Sequence, residues 1–213
     1  MQDYPAMTDT KVFVADANSS DGTPGVARRF SDRLRVEVIR GGLPSVGRNA
    51  GARLAETPYV LFLDADMELM DPTLIRRSVE LMKRKKLHCL TTNIWCGEGG
   101  LFDKALYLGS NIAQLVSWMA KPFSTGMFMM FETTRFRALG GFHEQALYAE
   151  DYLLSKQVSP RRFRVIRGGA FTTNRRFKKL GHMKIVRMFV KTALNTWNDS
   201  YFLRDHEYWQ GSF

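Results

Sequence analysis

Cysteine and histidine are scarce in this 213-residue chain, with two of the first and four of the second. Cys89 and Cys96 fall in or beside one expected strand. Bridging them directly would need a bend, so both are expected as reduced thiols of a cytosolic chain. Four scattered histidines lack the spacing of a zinc site. No uninterrupted apolar run reaches the roughly 18 residues of a membrane span, so no spanning helix is expected. The start, Met-Gln-Asp-Tyr-Pro, is not a basic stretch ahead of an apolar one, so no secretory leader is expected either. Internal repeats and low-complexity linkers are also missing. The chain does have 45% hydrophobic residues, enough for a real core, and a formal net charge of +10.

Apolar strand patterns alternate with helical ones. Strands are expected at 12–15, 36–39, 59–63, 88–95, 127–131, 163–166 and 170–173. Thr23-Pro24 reads as a helix start with Thr23 as N-cap, followed by an apolar stripe of Val26, Ala27, Phe30 and Leu34. Further helices are expected at 46–55, from Asp71-Pro72 to the Lys83–Lys86 basic run, at 101–119, 133–139 and 150–158, and from His182 onward. The alternation argues for one α/β layered domain. The positive charge is uneven, clustering at 83–86, 161–164 and 175–179. Nucleic acid, an anionic membrane surface or phosphorylated small molecules could each account for it. The first cluster ends an amphipathic helix, where cations favour the dipole.

The chemistry concentrates at four places. Tyr59-Val60-Leu61-Phe62-Leu63 reads as a strand buried on both faces, yet it runs into Asp64-Ala65-Asp66. Residues i and i+2 of an extended chain point the same way, so both carboxylates could reach one divalent cation. Hard oxygen ligands suit Mg²⁺ or Mn²⁺, which usually also bind substrate phosphates. The alternative is that Asp66 only caps the turn into Asp71-Pro72. Asp16 lies between a strand and a helix start, where open α/β sheets bind ligands, although its Asn/Ser/Asp/Gly-rich loop could equally be a plain cap. Arg48, near the start of a helix, opposes the dipole and is tolerable if it faces an anion such as a diphosphate. Glu150-Asp151 opens another helix; one of these acids could serve as a general base, or both could simply favour the dipole.

Together these segments resemble the family-two glycosyltransferases of GT-A fold. The matching residues are Asp16 with Ser19 to Thr23, Arg48-Asn49-Ala50-Gly51, Asp64-Ala65-Asp66, Gly140-Gly141-Phe142-His143-Glu144 and Glu150-Asp151, in register across residues 12–155. The segment 172–181 also looks like the family's downstream basic stretch near the donor diphosphate, which brings in Arg175 and Arg176. The resemblance implies a three-layer α/β/α, Rossmann-like mixed sheet. It implies a nucleotide-diphospho-sugar donor, a sugar or lipid-linked acceptor, a Mn²⁺ or Mg²⁺ ion, and direct displacement with inversion. Asp16 would contact the nucleoside and Arg48 would lie near the nucleotide. Asp64 would bind ribose or metal, Asp66 the metal, and Asp151 would deprotonate the acceptor.

Some residues depart from that pattern. Ala17 stands where many members have a second Asp, and His143 replaces a frequent Asp. Gln2-Asp3-Tyr4-Pro5 looks like a segment that in the family follows a first strand and helix, so roughly thirty residues, a central strand included, are expected to be missing, leaving two strand edges exposed. Residues 1–181 are expected to form the GT-A domain and 182–213 an amphipathic helical tail. That tail, with Ile185, Met188, Phe189, Leu194 and Trp197 among Lys184, Arg187 and Lys191, could lie on the inner face of a membrane or pack on the domain. Two other functions compete. A nucleotidyltransferase would show a Gly-rich phosphate loop near the N-terminus, and none is present. A basic nucleic-acid module would leave Asp64, Asp66, Glu150 and Asp151 unexplained, since acids repel phosphate backbones, so no nucleic-acid partner is expected.

Overall fold

Apolar runs become strands and amphipathic runs become helices in the computed structural model, which describes residues 2–204, the side chain of Arg176 excepted. In chain order these are β1 (Lys11–Asp16), α1 (Thr23–Arg28), β2 (Arg35–Arg40), α2 (Pro44–Leu54), β3 (Tyr59–Leu63), β4 (Glu68–Leu69), α3 (Leu74–Lys85), β5 (Cys89–Cys96) and α4 (Leu101–Val116). They continue with β6 (Phe128–Glu132), α5 (Thr133–Ala138), α6 (Glu150–Ser155), β7 (Phe163–Thr172), α7 (Arg175–Leu180), α8 (His182–Leu194) and α9 (Asp199–Phe202). The fold is the expected α/β arrangement of a mixed sheet flanked by helices.

Strand β6 sits deep in a five-stranded sheet of order β3-β6-β5-β7-β4. It runs antiparallel to β3 and β5, whereas β5 and β7 are parallel. Its sequence, Phe-Met-Met-Phe, serves both faces. Met129 and Phe131 join Phe62, Phe136, Phe142 and Leu154 in one core. Phe128 and Met130 join Leu74, Met82, Leu90 and Ile94 in the other. Successive strand residues point to opposite faces, so a helix-covered sheet needs an unbroken apolar run here. Cys89 and Cys96 are both buried and free.

Strands β1 and β2 pair in parallel as a separate two-stranded sheet. Among the described residues β1 therefore bonds only to β2, and β3 only to β6. This corrects the reading of β3 as buried on both faces. It is an edge strand: Phe62 is buried, but Leu63 is 42% exposed and Tyr59, Val60 and Leu61 are half-buried. The stripe expected on α1 is also corrected. Val26 and Phe30 lie exposed, because a six-residue helix over a two-stranded sheet has little apolar surface to cover. Its N-cap is Gly22, at φ 82°, and Thr23 follows as the first helical residue.

The two short strands expected at 163–166 and 170–173 are one, β7, with an irregularity of register opposite Thr92 to Ile94. Gly168 allows this. A Cβ there would come within 2.5 Å of a Leu74 methyl and 2.7 Å of the Thr92 hydroxyl, so the glycine marks a place of close approach. The chain beyond β7 packs back on the domain. Met188 of α8 and Phe202 of α9 share a small core with Tyr148, Tyr152 and Leu153. No helix of the described residues is long and apolar enough to cross a membrane.

Candidate active site

Arg48 reaches the space between the end of β3 and the start of α6. Its Nη2 lies 2.6 Å from Asp64 Oδ1, and its Nη1 lies 2.6 Å from Glu150 Oε1. Only 15% of its side chain is accessible, and 9% of that of Glu150. Glycines make room for this path. A Cβ on Gly126 would stand 2.7 Å from the guanidinium nitrogens, and one on Gly47 would stand 3.0 Å from the Ala15 Cβ. Gly126 also donates its N–H to Asp151 Oδ2 at 2.6 Å, while Tyr152 donates its N–H to Asp151 Oδ1 at 2.7 Å. One glycine thus separates the cation from the second acid of α6.

Asn49 does for the glycine loop what Arg48 does for the acids. Its side chain donates to the Phe142 carbonyl at 2.8 Å and accepts the Phe142 N–H at 2.9 Å, two bonds that pin the turn backbone. Gly141, at φ 76°, lets the loop close onto it, since a Cβ would sit 2.7 Å from the Asn49 oxygen. The Phe142 ring then lies under the Arg48 guanidinium, 5.4 Å from ring centre to cation. Arg48-Asn49, Gly140 to Glu144 and Glu150-Asp151, far apart in sequence, are one bonded unit.

The electrostatics follow from that packing. Burial works against the Arg48 cation, but Asp64 and Glu150 more than offset it, so its pKa stands above the usual arginine value. Burial, reinforced by the neighbouring Asp151 carboxylate and opposed by Arg48, pushes Glu150 up to about 7. Burial also raises Asp151, against the pull of Arg48 and its two N–H donors. Burial is the main cause of both raised carboxylates, and the excess of acids around one arginine adds to it.

Asp66 stands outside this knot. It is part-exposed, with Arg175 Nη2 at 3.6 Å, and it lines with Asp64 one end of a cleft of about 150 Å³. Thr125, Thr172 and Thr173 add hydroxyls there, and Leu106, Met127 and Ile185 form an apolar wall. Asp64 and Asp66 both border the cleft as hard oxygen donors, but the chain turns at 65–66 instead of staying extended as expected, so Asp64 meets Arg48 and Asp66 meets Arg175. Among the described residues no three His, Cys, Asp or Glu side chains gather as a metal cage. The donor set therefore suits a cation that keeps some water and takes further oxygens from a bound phosphate, the habit of Mg²⁺ and its hard relatives.

Asp16 is not brought to this cluster. It ends β1 in the other sheet, and its carboxylate turns back onto the N–H groups of Asn18 and Ser19, each at 3.0 Å. Hydrogen bonding from Ser19 holds it below the usual carboxylate value. Arg176 follows Arg175 in α7, with its side chain outside the described residues. Gly126 and the pairing of Glu150 with Arg48 were missed by sequence reasoning. The Thr125-Gly126 step ahead of β6 was the one available hint of a close backbone approach.

Comparisons with known proteins agree on a family. The model described as glycosyl transferase family 2 matches residues 5–142, more than half of the chain. Validoxylamine A glucosyltransferase of Streptomyces hygroscopicus subsp. jinggangensis (strain 5008) is 41% identical over 63 residues, which is 28% of this chain and 15% of that protein. Among solved structures, S. aureus TarS 1–349 in complex with UDP superposes with a TM-score of 0.63 at 17% identity, over 88% of this chain and 57% of that one. Mannosyltransferase PcManGT from Pyrobaculum calidifontis, in complex with GDP-Man and Mn²⁺, gives 0.61 at 20% identity, over 89% and 57%. At these identities the structural likeness establishes the fold alone. The chain spans little more than half of those solved chains and a small part of the curated relative.

Two predictions follow from the knot. Arg48→Ala strands Asp64 and Glu150 without their cation and is expected to cost about 3–5 kcal/mol, read as a fall in the urea midpoint. Unchanged stability would mean that the pairs are dispensable. The second concerns pH. Glu150, at about 7 when folded against a usual 4.5, holds more protons in the folded state than in the unfolded one between those values. Its contribution is therefore fully present below about 4.5 and is lost as pH rises through about 7. The stability of the wild type relative to Glu150→Gln should fall across that window; a flat difference would contradict the raised pKa.

Proposed function

This chain belongs to glycosyl transferase family 2, and on that premise we propose that it moves a sugar from a nucleotide-diphosphate donor to an acceptor hydroxyl, with inversion and with the help of a divalent cation. The observation that carries the reading is the shared rim: Asp64 and Asp66 border one cleft beside Arg175, and Asp64 is tied through Arg48 to Glu150, next to Asp151. The cleft lining combines acids, hydroxyls and Arg175 for a charged donor with apolar side chains that would suit the acceptor.

In this mechanism Asp64 and Asp66 would hold Mn²⁺ or Mg²⁺, which when bound offsets charge on the departing diphosphate. Arg175 and Arg176 would supply further positive charge there. Arg48 keeps Asp64 aimed at the rim and neutralises part of the acidic cluster; its own hydrogen bonds are taken by protein carboxylates. Asp16 would meet the nucleoside once its loop opens. Asp151 would take the acceptor's proton as the acceptor oxygen bonds to the anomeric carbon. The bond from that carbon to the diphosphate breaks, and the diphosphate leaves with the electron pair. One displacement inverts the centre. The raised proton affinity of Asp151 supports the role of base, and its bond to Gly126 N–H sets it next to the cleft residues Thr125 and Met127.

Residues 1–181 would form the catalytic unit and 182–213 an appended helical tail, of which 205–213 lie outside the described residues. A sugar or lipid-linked acceptor would suit the apolar wall to which Ile185 and Met188 of that tail contribute. A cytoplasmic site with peripheral contact at the inner membrane face fits such an acceptor.

Asp66→Ala should remove the Mn²⁺-dependent thermal stabilisation by nucleoside diphosphates and cut sugar transfer by at least about a hundredfold, while leaving the melting temperature of the bare protein nearly unchanged, since Asp66 is part-exposed. Undiminished transfer in that variant would refute the reading.

A further inference from the structure

Helix α4 is amphipathic with the wrong side out. Asp103, Asn111 and Gln114 are its buried residues. Asn111 is spent on the backbone of Ile94, donating to its carbonyl at 2.8 Å and accepting its N–H at 2.9 Å. Gln114 accepts the N–H of Thr125 at 3.1 Å, and Asp103 Oδ1 lies 2.5 Å from the His182 ring nitrogen at the start of α8. The outer arc is apolar: Leu101, Ala105, Leu108, Ile112 and Leu115 recur at helical spacing, with Leu101 88% and Ile112 52% exposed. Helices of soluble domains place such a stripe against the core. Here the fold has used the polar side for the core and left the stripe outside.

The apolar surface continues past the helix. Trp118 and Met119 are exposed in the turn after α4. Lys121 lies over the Trp197 ring at 3.8 Å, joining this edge to the segment after α8. On α8, Ile185 and Met188 face inward, while Met183, Val190 and Leu194 face out. Beside them Lys184, Arg187 and Lys191 form an exposed basic row. Between residues 101 and 122 the sole acid is the buried Asp103, and between 175 and 198 there is none. Within these two stretches the exposed side is therefore apolar and cationic, with no exposed acid. Both helices also line the cleft that holds Asp64 and Asp66.

We propose that the outer faces of α4 and α8 together dock this chain onto an anionic lipid bilayer, lying in the interface without crossing it. Large apolar side chains, tryptophans at the margin and a row of cations without acids are what an anionic lipid surface takes up. A protein partner would have to match the same cationic, apolar face with acids of its own. This deepens the peripheral membrane contact proposed above by naming the surface that makes it; its test needs no turnover, so it can fail while glycosyl transfer stands.

The test is flotation or sedimentation of the whole chain with phosphatidylcholine vesicles, with and without phosphatidylglycerol. Binding is expected to the anionic vesicles, to weaken as salt is raised, and to be much lower on the neutral ones. Ile112→Ser with Leu115→Ser, both at exposed positions, should cut vesicle binding at least about tenfold with the melting temperature kept, as withdrawing two large apolar side chains requires. Lys184→Glu with Lys191→Glu should do likewise. Equal binding to neutral and anionic vesicles, no binding to either, or self-association of the chain in solution that the serine pair abolishes would each overturn the proposal.

Discussion

The site depends on the Arg48 guanidinium. It is the one buried cation among Asp64, Glu150 and Asp151, and it bonds two of them at 2.6 Å. It offsets the repulsion among three close carboxylates and limits the rise in proton affinity that burial gives Glu150 and Asp151. With the arginine in place they hold the end of β3 and the start of α6 together from opposite sides of the core. Asn49, one residue on, fixes the Gly140–Glu144 loop by a matched pair of hydrogen bonds. The first half of α2 therefore works as a clamp, and the elements that carry the candidate chemistry are referred to it.

That clamp divides the acids by function. Asp64 and Glu150 belong to the structure as much as to any reaction, because each is spent on Arg48. Asp66 is left accessible on the cleft rim, and Asp151 is held by backbone N–H groups with its proton affinity raised. In a protein of net charge +10, Asp64, Glu150 and Asp151 gather around one buried arginine. Diphosphate charge would be met at the border of that cluster, where Asp66 and Arg175 already lie side by side.

Much of this was legible in the sequence. Asp64-Ala65-Asp66 at the end of an apolar run marked the rim, and Glu150-Asp151 marked a helix start, because strand ends and helix starts have local signatures. Family resemblance put Arg48 near the same place, but its partners were not readable: an arginine facing a diphosphate and one facing two carboxylates look alike in a single chain. The edge position of β3 was missed since an apolar pentapeptide does not say how many neighbours it has. Asp16 was expected in the site and lies apart from the acid cluster, in a sheet of its own with β2. The inverted polarity of α4 was hidden because a helical period shows that two faces differ, not which one the core takes. The two strands expected at 163–166 and 170–173 are one, with Gly168 between them a point of close approach, for only the fold reveals what lies opposite a missing side chain.

The most direct measurement of the central claim is paramagnetic line broadening by Mn²⁺, followed in amide NMR spectra of the whole chain with UDP or GDP present. Broadening should appear first at residues 64–67 and 172–175, on both sides of the cleft. Broadening that spares the Asp64–Asp66 turn, or that centres elsewhere, would contradict the account.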